Sequence, residues 1–102
     1  MNLVFKALSD ASRRRILQLL RAREMTAGEI AEHFDLSKPT LSGHFAVLRE
    51  AGLIVSEKNG TTITYRLNLS VLEDALLGFA NMVGLGLNPE TKAARPKEKD
   101  DE

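Results

Sequence analysis

An Asn-Gly step between two short apolar segments constrains the fold of this chain more than any other feature. Asn59 and Gly60 separate residues 53–58 from residues 61–67, where apolar and polar side chains alternate. Asn-Gly is a strong hairpin signal, because a type I′ turn needs positive φ at both central residues. We therefore predict two antiparallel strands joined by a type I′ turn over Asn59 and Gly60.

Helical periodicity before the hairpin predicts four short helices, and the first two lie near the N-terminus. The first covers residues 3–8, where apolar side chains recur on one side. A cap at Ser9 or Asp10 then begins a second helix that runs to about residue 22. A chain of 102 residues suits one small domain, to whose core these helices contribute.

Two capping signals predict the third and fourth helices. Thr26 and Glu29 have the spacing of a capping box, and Ser37 suits the cap of the next helix. The inward side chains of that fourth helix recur at helical spacing: Leu41, Phe45 and Leu48. Gly52 suits a left-handed exit from it. Two short helices joined by a tight turn predict a helix-turn-helix.

The segment after the hairpin predicts a last helix with a long apolar stripe. Ser70 and Glu73 have capping-box spacing, and the helix is expected to run to about Gly84 or Gly86. The predicted fold class is mostly α with a small β-hairpin. It is a winged helix-turn-helix of order α-α-α-α-β-β-α.

Charge and periodicity divide the chain into two parts. Residues 1–88 are predicted to form the domain, and residues 89–102 a disordered charged tail without periodicity. The chain has 14 basic and 14 acidic residues, of which the tail holds four and five. The domain is thus nearly neutral, so any affinity for DNA must come from a local basic face.

Composition excludes several functional classes. The chain has no cysteine, which excludes disulfides and thiolate metal sites. No segment approaches the roughly 18 apolar residues of a membrane helix, and no signal-peptide core is present. We expect a cytoplasmic protein without membrane insertion. The chain has no paired nucleophile and base and no phosphate-binding glycine loop, so we predict no catalytic residues and no cofactor.

The outward face of the fourth helix is small and polar, whereas a solvated face usually carries Glu, Lys and Gln. In a winged helix-turn-helix this helix contacts base edges in the major groove, and the hairpin can lie over the neighbouring backbone or minor groove. The alternative is that these are only surface positions of a short helix. The predicted DNA-binding residues are Ser37, Lys38, Pro39, Thr40, Ser42, Gly43, His44, Lys58, Asn59, Thr61 and Arg66.

His44 lies at the edge of the inner face of the fourth helix, and two roles are open for it. The ring either donates to a phosphate or packs against the core. Arg13 shares the inner face of the second helix, so it is expected to pack its stem inward or to pair with a carboxylate.

Several segments of the chain resemble the ArsR/SmtB family of winged helix-turn-helix repressors. The resemblance covers residues 3 to about 83, and the hairpin with Tyr65 is similar to the wing of the family. It implies a homodimer, held by the first and last helices, that represses a promoter. The segments similar to the N-terminal signature and the helix-turn-helix are residues 5–17, 26–34, 36–45 and 48–54.

The metal sites of the family are not matched by this chain. The positions at which other family members carry thiolate ligands fall near Thr26, Gly28 and Ala31 of this chain. The histidine positions of the family's last-helix site correspond to Leu76 and Leu87. The resemblance is therefore closest to the cysteine-free, autorepressor-type (SdpR-like) branch, without the usual metal sites. His33, near Glu29 and Glu32, is either a solvated histidine or a ligand of a harder metal.

The last helix carries more apolar surface than one small core needs, so its outer part is expected to contact a second copy. The alternative is that it lies along its own domain. We predict a homodimeric, sequence-specific repressor on a palindromic operator, or else a winged-helix module that binds protein. The predicted dimer interface comprises Leu3, Val4, Phe5, Leu72, Leu76, Phe79, Met82 and Val83.

Overall fold

The computed structural model describes residues 2–86, which form five helices and a small three-stranded antiparallel sheet. The order confirms the predicted winged helix-turn-helix and adds one short strand before the third helix. Residues 87–102, which include the predicted tail, lie outside the described residues. The elements are α1 (Asn2–Leu8), α2 (Ala11–Ala22), β1 (Met25–Thr26), α3 (Ala27–Ala31), α4 (Lys38–Glu50), β2 (Ile54–Asn59), β3 (Thr62–Leu67) and α5 (Leu69–Met82).

The sheet has the strand order β1-β3-β2, so the hairpin is extended by a strand that precedes α3. Met25 and Thr26 pair with Tyr65 and Thr64 in the centre of β3. Sequence periodicity did not predict β1, because two residues are too short to show alternation. This pairing joins the start of the helix-turn-helix directly to the wing.

The hairpin turn lies one residue later than predicted. Asn59 pairs with Thr62, so the two-residue turn consists of Gly60 and Thr61. Gly60 has a φ of 67°, whereas no non-glycine residue among those described has a positive φ. A positive φ at the first central residue alone is typical of a type II′ turn. The predicted type I′ turn is therefore wrong, since the register needs only one left-handed residue and Gly60 supplies it.

The predicted starts of α3 and α4 are confirmed by their hydrogen bonds. The Thr26 hydroxyl accepts from the Glu29 amide at 3.1 Å, and the Glu29 carboxylate accepts from the Thr26 amide at 2.8 Å. The Ser37 hydroxyl accepts from the Thr40 amide at 3.2 Å. Gly52, with a φ of 78°, follows the end of α4 as predicted. Side chains therefore satisfy amides that have no partner within these helices.

The start of α5 differs from the prediction. Asn68 occupies the N-cap position without a side-chain capping bond, and the Ser70 hydroxyl donates to Asn68 Oδ1 at 3.1 Å. The predicted capping box of Ser70 and Glu73 is wrong, because the helix begins earlier and Ser70 lies within its first turn. The helix ends at Met82, shortly before Gly84.

One hydrophobic core connects the helices with the sheet. Ile16, Ile30, Leu48 and Leu53 are completely buried at its centre. Val4 of α1 belongs to the same cluster and is 5% exposed within the single chain. This side chain therefore faces its own domain and offers little surface to a second copy.

The Glu29 carboxylate is charged in its role as a cap. The hydrogen bond from the Thr26 amide is the main cause that lowers the pKa of Glu29 below its ordinary 4.5. The Arg23 guanidinium, 3.6 Å away, lowers this pKa further. A carboxyl whose pKa is lowered by folding stabilises the fold above its unfolded pKa. That stabilisation is lost as the pH falls through the lower pKa of the folded state.

We expect Gly60→Ala to lower the free energy of unfolding by about 1–2 kcal/mol, because alanine is strained at a left-handed φ. Asn59→Ala is the matched control and should change it by less than about 0.5 kcal/mol. Urea unfolding of both variants measures the difference. An equal loss of unfolding free energy in the two variants would contradict the type II′ turn and support the type I′ turn.

We expect Glu29→Gln to flatten the acid side of the stability profile. Wild-type stability should fall as the pH drops below about 4.5, where the carboxyl of the unfolded chain takes up its proton first. The amide keeps an acceptor for Thr26 but has no proton to gain. Melting temperatures between about pH 3 and pH 7 measure the effect, with Glu32→Gln as the control. Parallel profiles for wild type and Glu29→Gln would contradict it.

Candidate nucleic-acid interface

Helix α4 has one buried face and one exposed face of small side chains. Leu41, Phe45 and Leu48 are buried, as their spacing predicts. At Gly43 no atom lies within 4 Å of the place where a Cβ would be. The backbone of α4 is therefore open to close approach by a ligand. The exposed residues of this surface are Lys38, Pro39, Thr40, Ser42, Gly43 and Ala46.

The first turn of α4 is stabilised by Ser37 and Thr40. Besides capping the helix, the Ser37 hydroxyl donates to the Thr40 Oγ1 at 2.9 Å. Ser37 is thus used within the helix start, and Lys38 supplies the cation at this end. A lysine beside the positive end of a helix dipole suits a ligand rich in acceptors or negative charge.

The wing places its two predicted cations on opposite faces. Lys58 pairs directly with Ile63, and Arg66 pairs directly with Val55. Residues in direct register share a face, and successive residues alternate between faces. Both cations are exposed, but the structure does not bring them together. The wing tip, including Asn59 and Thr61, is also exposed.

An aromatic pair attaches α4 to the wing. The rings of Phe45 and Tyr65 are stacked, with centroids 4.4 Å apart and an interplanar angle of 26°. Both side chains are buried. Such pairs stabilise a contact beyond the area that they bury. The stack therefore holds α4 against β3, the central strand of the sheet.

Arg13 joins the end of α1 to α4. Its Nε donates to the Ala7 carbonyl at 2.8 Å, and its Nη2 donates to the Lys6 carbonyl at 3.1 Å. Its Nη1 lies 3.2 Å from Nδ1 of His44. The carbonyls belong to the last turn of α1, where no amide of the same helix is available. Sequence reasoning did not find this contact, because no local spacing relates Arg13 to His44.

His44 is approached at both ring nitrogens. While Nδ1 faces Arg13, Nε2 lies 3.8 Å from Asp10 Oδ2, and the side chain is 15% exposed. This geometry favours the packed role for His44 over the role of phosphate donor. Asp10 caps α2 by accepting from the Arg13 amide. That bond is the main cause that lowers the pKa of Asp10 below its ordinary 3.8, and His44 and Arg13 lower it further.

A second exposed surface, the terminal apolar face, lies on α1, on α5 and on the residues that directly follow α5. The ring of Phe5 contacts that of Phe79 edge to face, with centroids 5.4 Å apart. Leu72, a predicted interface residue, is half-buried against the core of its own domain. Leu85 was not predicted, because it follows the glycine that ends the helical pattern. The terminal apolar face consists of Leu3, Leu76, Phe79, Met82, Val83 and Leu85.

Residues 2–86 contain neither a cluster of metal ligands nor a membrane-spanning helix. Within residues 2–86, no three His, Asp or Glu side chains lie close enough together to hold a metal ion. His33, considered with Glu29 and Glu32, is exposed. No helix in the same range is long and apolar enough to cross a membrane.

Known proteins are similar to this chain in both sequence and fold. A family model described as a helix-turn-helix domain matches residues 8–57. The chain is 48% identical over 88 residues to the transcriptional repressor SdpR of Bacillus subtilis, covering 86% of this chain and 98% of that protein. It is 41% identical over 73 residues to the arsenical resistance operon repressor of Staphylococcus aureus, covering 72% and 70%.

A solved structure of a transcriptional regulator has a similar fold. The crystal structure of an ArsR family transcriptional regulator superposes with a TM-score of 0.76 at 28% identity, covering 82% of this chain and 87% of that one. These similarities confirm the resemblance to the family and to its SdpR-like branch. They also confirm the prediction of a regulator and not an enzyme. The chain belongs to the ArsR family of helix-turn-helix transcriptional regulators.

Proposed function

We propose that the protein is a DNA-binding repressor that acts as a homodimer on a palindromic operator and reads the major groove with α4. The observation that carries the proposal is the exposed face of α4, which combines small side chains with a lysine at its N-terminal end. An α-helix fits the major groove, which is about 12 Å wide. The relatives named as transcriptional repressors support the direction of regulation.

The chemistry of the α4 face suits contacts with base edges. Lys38 can donate to the O6 and N7 acceptors of guanine, and the Ser42 hydroxyl can donate or accept. Gly43 lets the helix backbone come close to the bases, because no side chain stands between them. In this arrangement Arg66 or Lys58 contacts phosphate from the wing, depending on which face of the hairpin meets the DNA.

The weak charge of the domain argues for two copies on one operator. The first 88 residues carry ten basic and nine acidic side chains, so one copy neutralises few phosphates. Two copies in a two-fold arrangement contact two half-sites whose centres are about 10 base pairs apart. We infer a cytoplasmic location, where such a repressor meets its DNA.

The terminal apolar face is the proposed dimer interface. Met82 is 70% exposed and Leu85 is 60% exposed in the single chain, which is far from the usual burial of large apolar residues. Exposed apolar patches mark interaction surfaces. The contact of Phe5 with Phe79 makes α1 and α5 one continuous surface.

DNA binding is expected to proceed without a metal. The positions where other members of the family carry thiolates hold Thr26, Gly28 and Ala31, which provide no soft ligand. Chelation with EDTA should therefore leave the affinity for the operator unchanged.

We expect Lys38→Ala and Ser42→Ala each to weaken binding to operator DNA about tenfold, because each removes a contact with a base edge. Fluorescence anisotropy compares the DNA upstream of the protein's own gene with a shuffled duplex, at two salt concentrations and with EDTA present. Lys6→Ala removes a lysine from α1 and is the matched control. Equal losses on both duplexes would contradict the assignment of α4. Absence of salt-sensitive binding by the wild type would favour the protein-interaction module.

We expect Met82→Asp to produce a folded monomer, because the side chain adds little to its own core and the charge would be buried in the dimer. Multi-angle light scattering measures the mass, and circular dichroism verifies the fold. Asn81→Asp places the same charge beside it on α5 and should remain dimeric. A dimeric Met82→Asp variant would exclude this face as the interface.

A further inference from the structure

We propose that His44 is a positioning residue for DNA recognition, which accepts a hydrogen bond from Arg13 and thereby ties α4 to the end of α1. The inference rests on the proposed function, in which α4 reads DNA. It assigns to His44 a role in orienting the recognition helix, in place of the phosphate contact considered from the sequence.

The chemistry of Arg13 and His44 determines which ring nitrogen of His44 carries the proton. A guanidinium has donors and no acceptor, so the 3.2 Å contact between Arg13 Nη1 and His44 Nδ1 needs a lone pair on Nδ1. The single ring proton then lies on Nε2, on the side of Asp10 Oδ2 at 3.8 Å. A proton on Nδ1 would point at the cation. The contact with Arg13 therefore favours the tautomer with the proton on Nε2.

Other hydrogen bonds fix the position of the Arg13 side chain. The bond to His44 therefore also fixes the position of the His44 ring. Two of its nitrogens donate to the carbonyls of Lys6 and Ala7 at the end of α1. Hydrogen bonds that involve a charged donor are stronger than those between neutral groups. His44 follows Gly43 directly in α4, so its anchoring sets the rotation and depth of the exposed face.

The same contacts continue to the terminal apolar face. Phe79 of α5 contacts Phe5 of α1, and the last turn of α1 is bound by Arg13. Arg13 in turn reaches His44 in the recognition helix. A contiguous chain of packed and hydrogen-bonded groups thus joins the proposed dimer interface to the proposed reading surface.

Two substitutions of His44 separate the acceptor from the rest of the ring. In His44→Asn the side-chain oxygen lies as many bonds from Cα as Nδ1 does, so it can accept from Arg13. His44→Leu has a similar bulk and no acceptor. We expect His44→Leu to bind the upstream DNA about tenfold more weakly, with little change on the shuffled duplex. His44→Asn should stay within about threefold of the wild type on both.

A direct phosphate contact by His44 predicts a different pattern. Both variants would then lose affinity equally on operator and shuffled DNA, because phosphate contacts carry no sequence information. That result would overturn the positioning role. Failure of the wild type to bind either duplex would count against the proposed function instead, and the ring protonation can still be measured without DNA.

The tautomer is tested by a long-range ¹H–¹⁵N NMR spectrum of the free protein at about pH 7.5, above the ordinary pKa of histidine. We expect an unprotonated Nδ1 and a protonated Nε2 for His44, with the exposed His33 as the internal reference. Arg13→Gln should return His44 to a mixture of tautomers. A protonated Nδ1 in the wild type would overturn the proposal, whether or not His44→Leu folds.

Discussion

Burial of the inner face of α4 is the interaction on which the rest of the molecule depends. Leu41, Phe45 and Leu48 enter the core together, and burial of each large side chain contributes about 1.5–3 kcal/mol. Because an α-helix repeats every 3.6 residues, burying these three leaves the opposite face exposed. The surface proposed to read DNA, with Ser42 and Gly43 at its centre, is thus a consequence of core packing.

The proposed dimer would account for two properties of the single domain, its exposed apolar surface and its near-zero net charge. A chain of this size buries a limited core, and its helices leave the terminal apolar face exposed. Its charges nearly cancel, so one copy has little electrostatic affinity for DNA. Association through α1 and α5 would cover the apolar surface and bring two reading helices to one operator.

Polar side chains act mainly at the ends of helices. Asp10 caps α2, Glu29 caps α3, and Arg13 donates to the last carbonyls of α1. These contacts replace hydrogen bonds that each helix cannot make at its own ends. Asp10 and Arg13 also face His44, so the groups that end α1 and begin α2 are the ones that meet α4.

Local signals were the most reliable guide to the fold. The capping box of Thr26 and Glu29 and the exit at Gly52 depend on residues a few positions apart, and both were predicted correctly. The capping box at Ser70 failed because another residue two positions earlier, Asn68, takes the N-cap position. Local spacing cannot choose between two neighbouring starts when tertiary packing sets the helix boundary.

The sequence by itself determined the order of the elements and the inner face of α4, because periodicity and caps act within one or two turns. Tertiary structure decided the strand β1, the turn at Gly60 and the burial of Val4. It also decided the contact of Arg13 with His44, which are 31 residues apart in the chain. The turn depends on the register in which β2 pairs with β3. The other features require segments that are distant in the chain to meet, and the packed core sets how they meet.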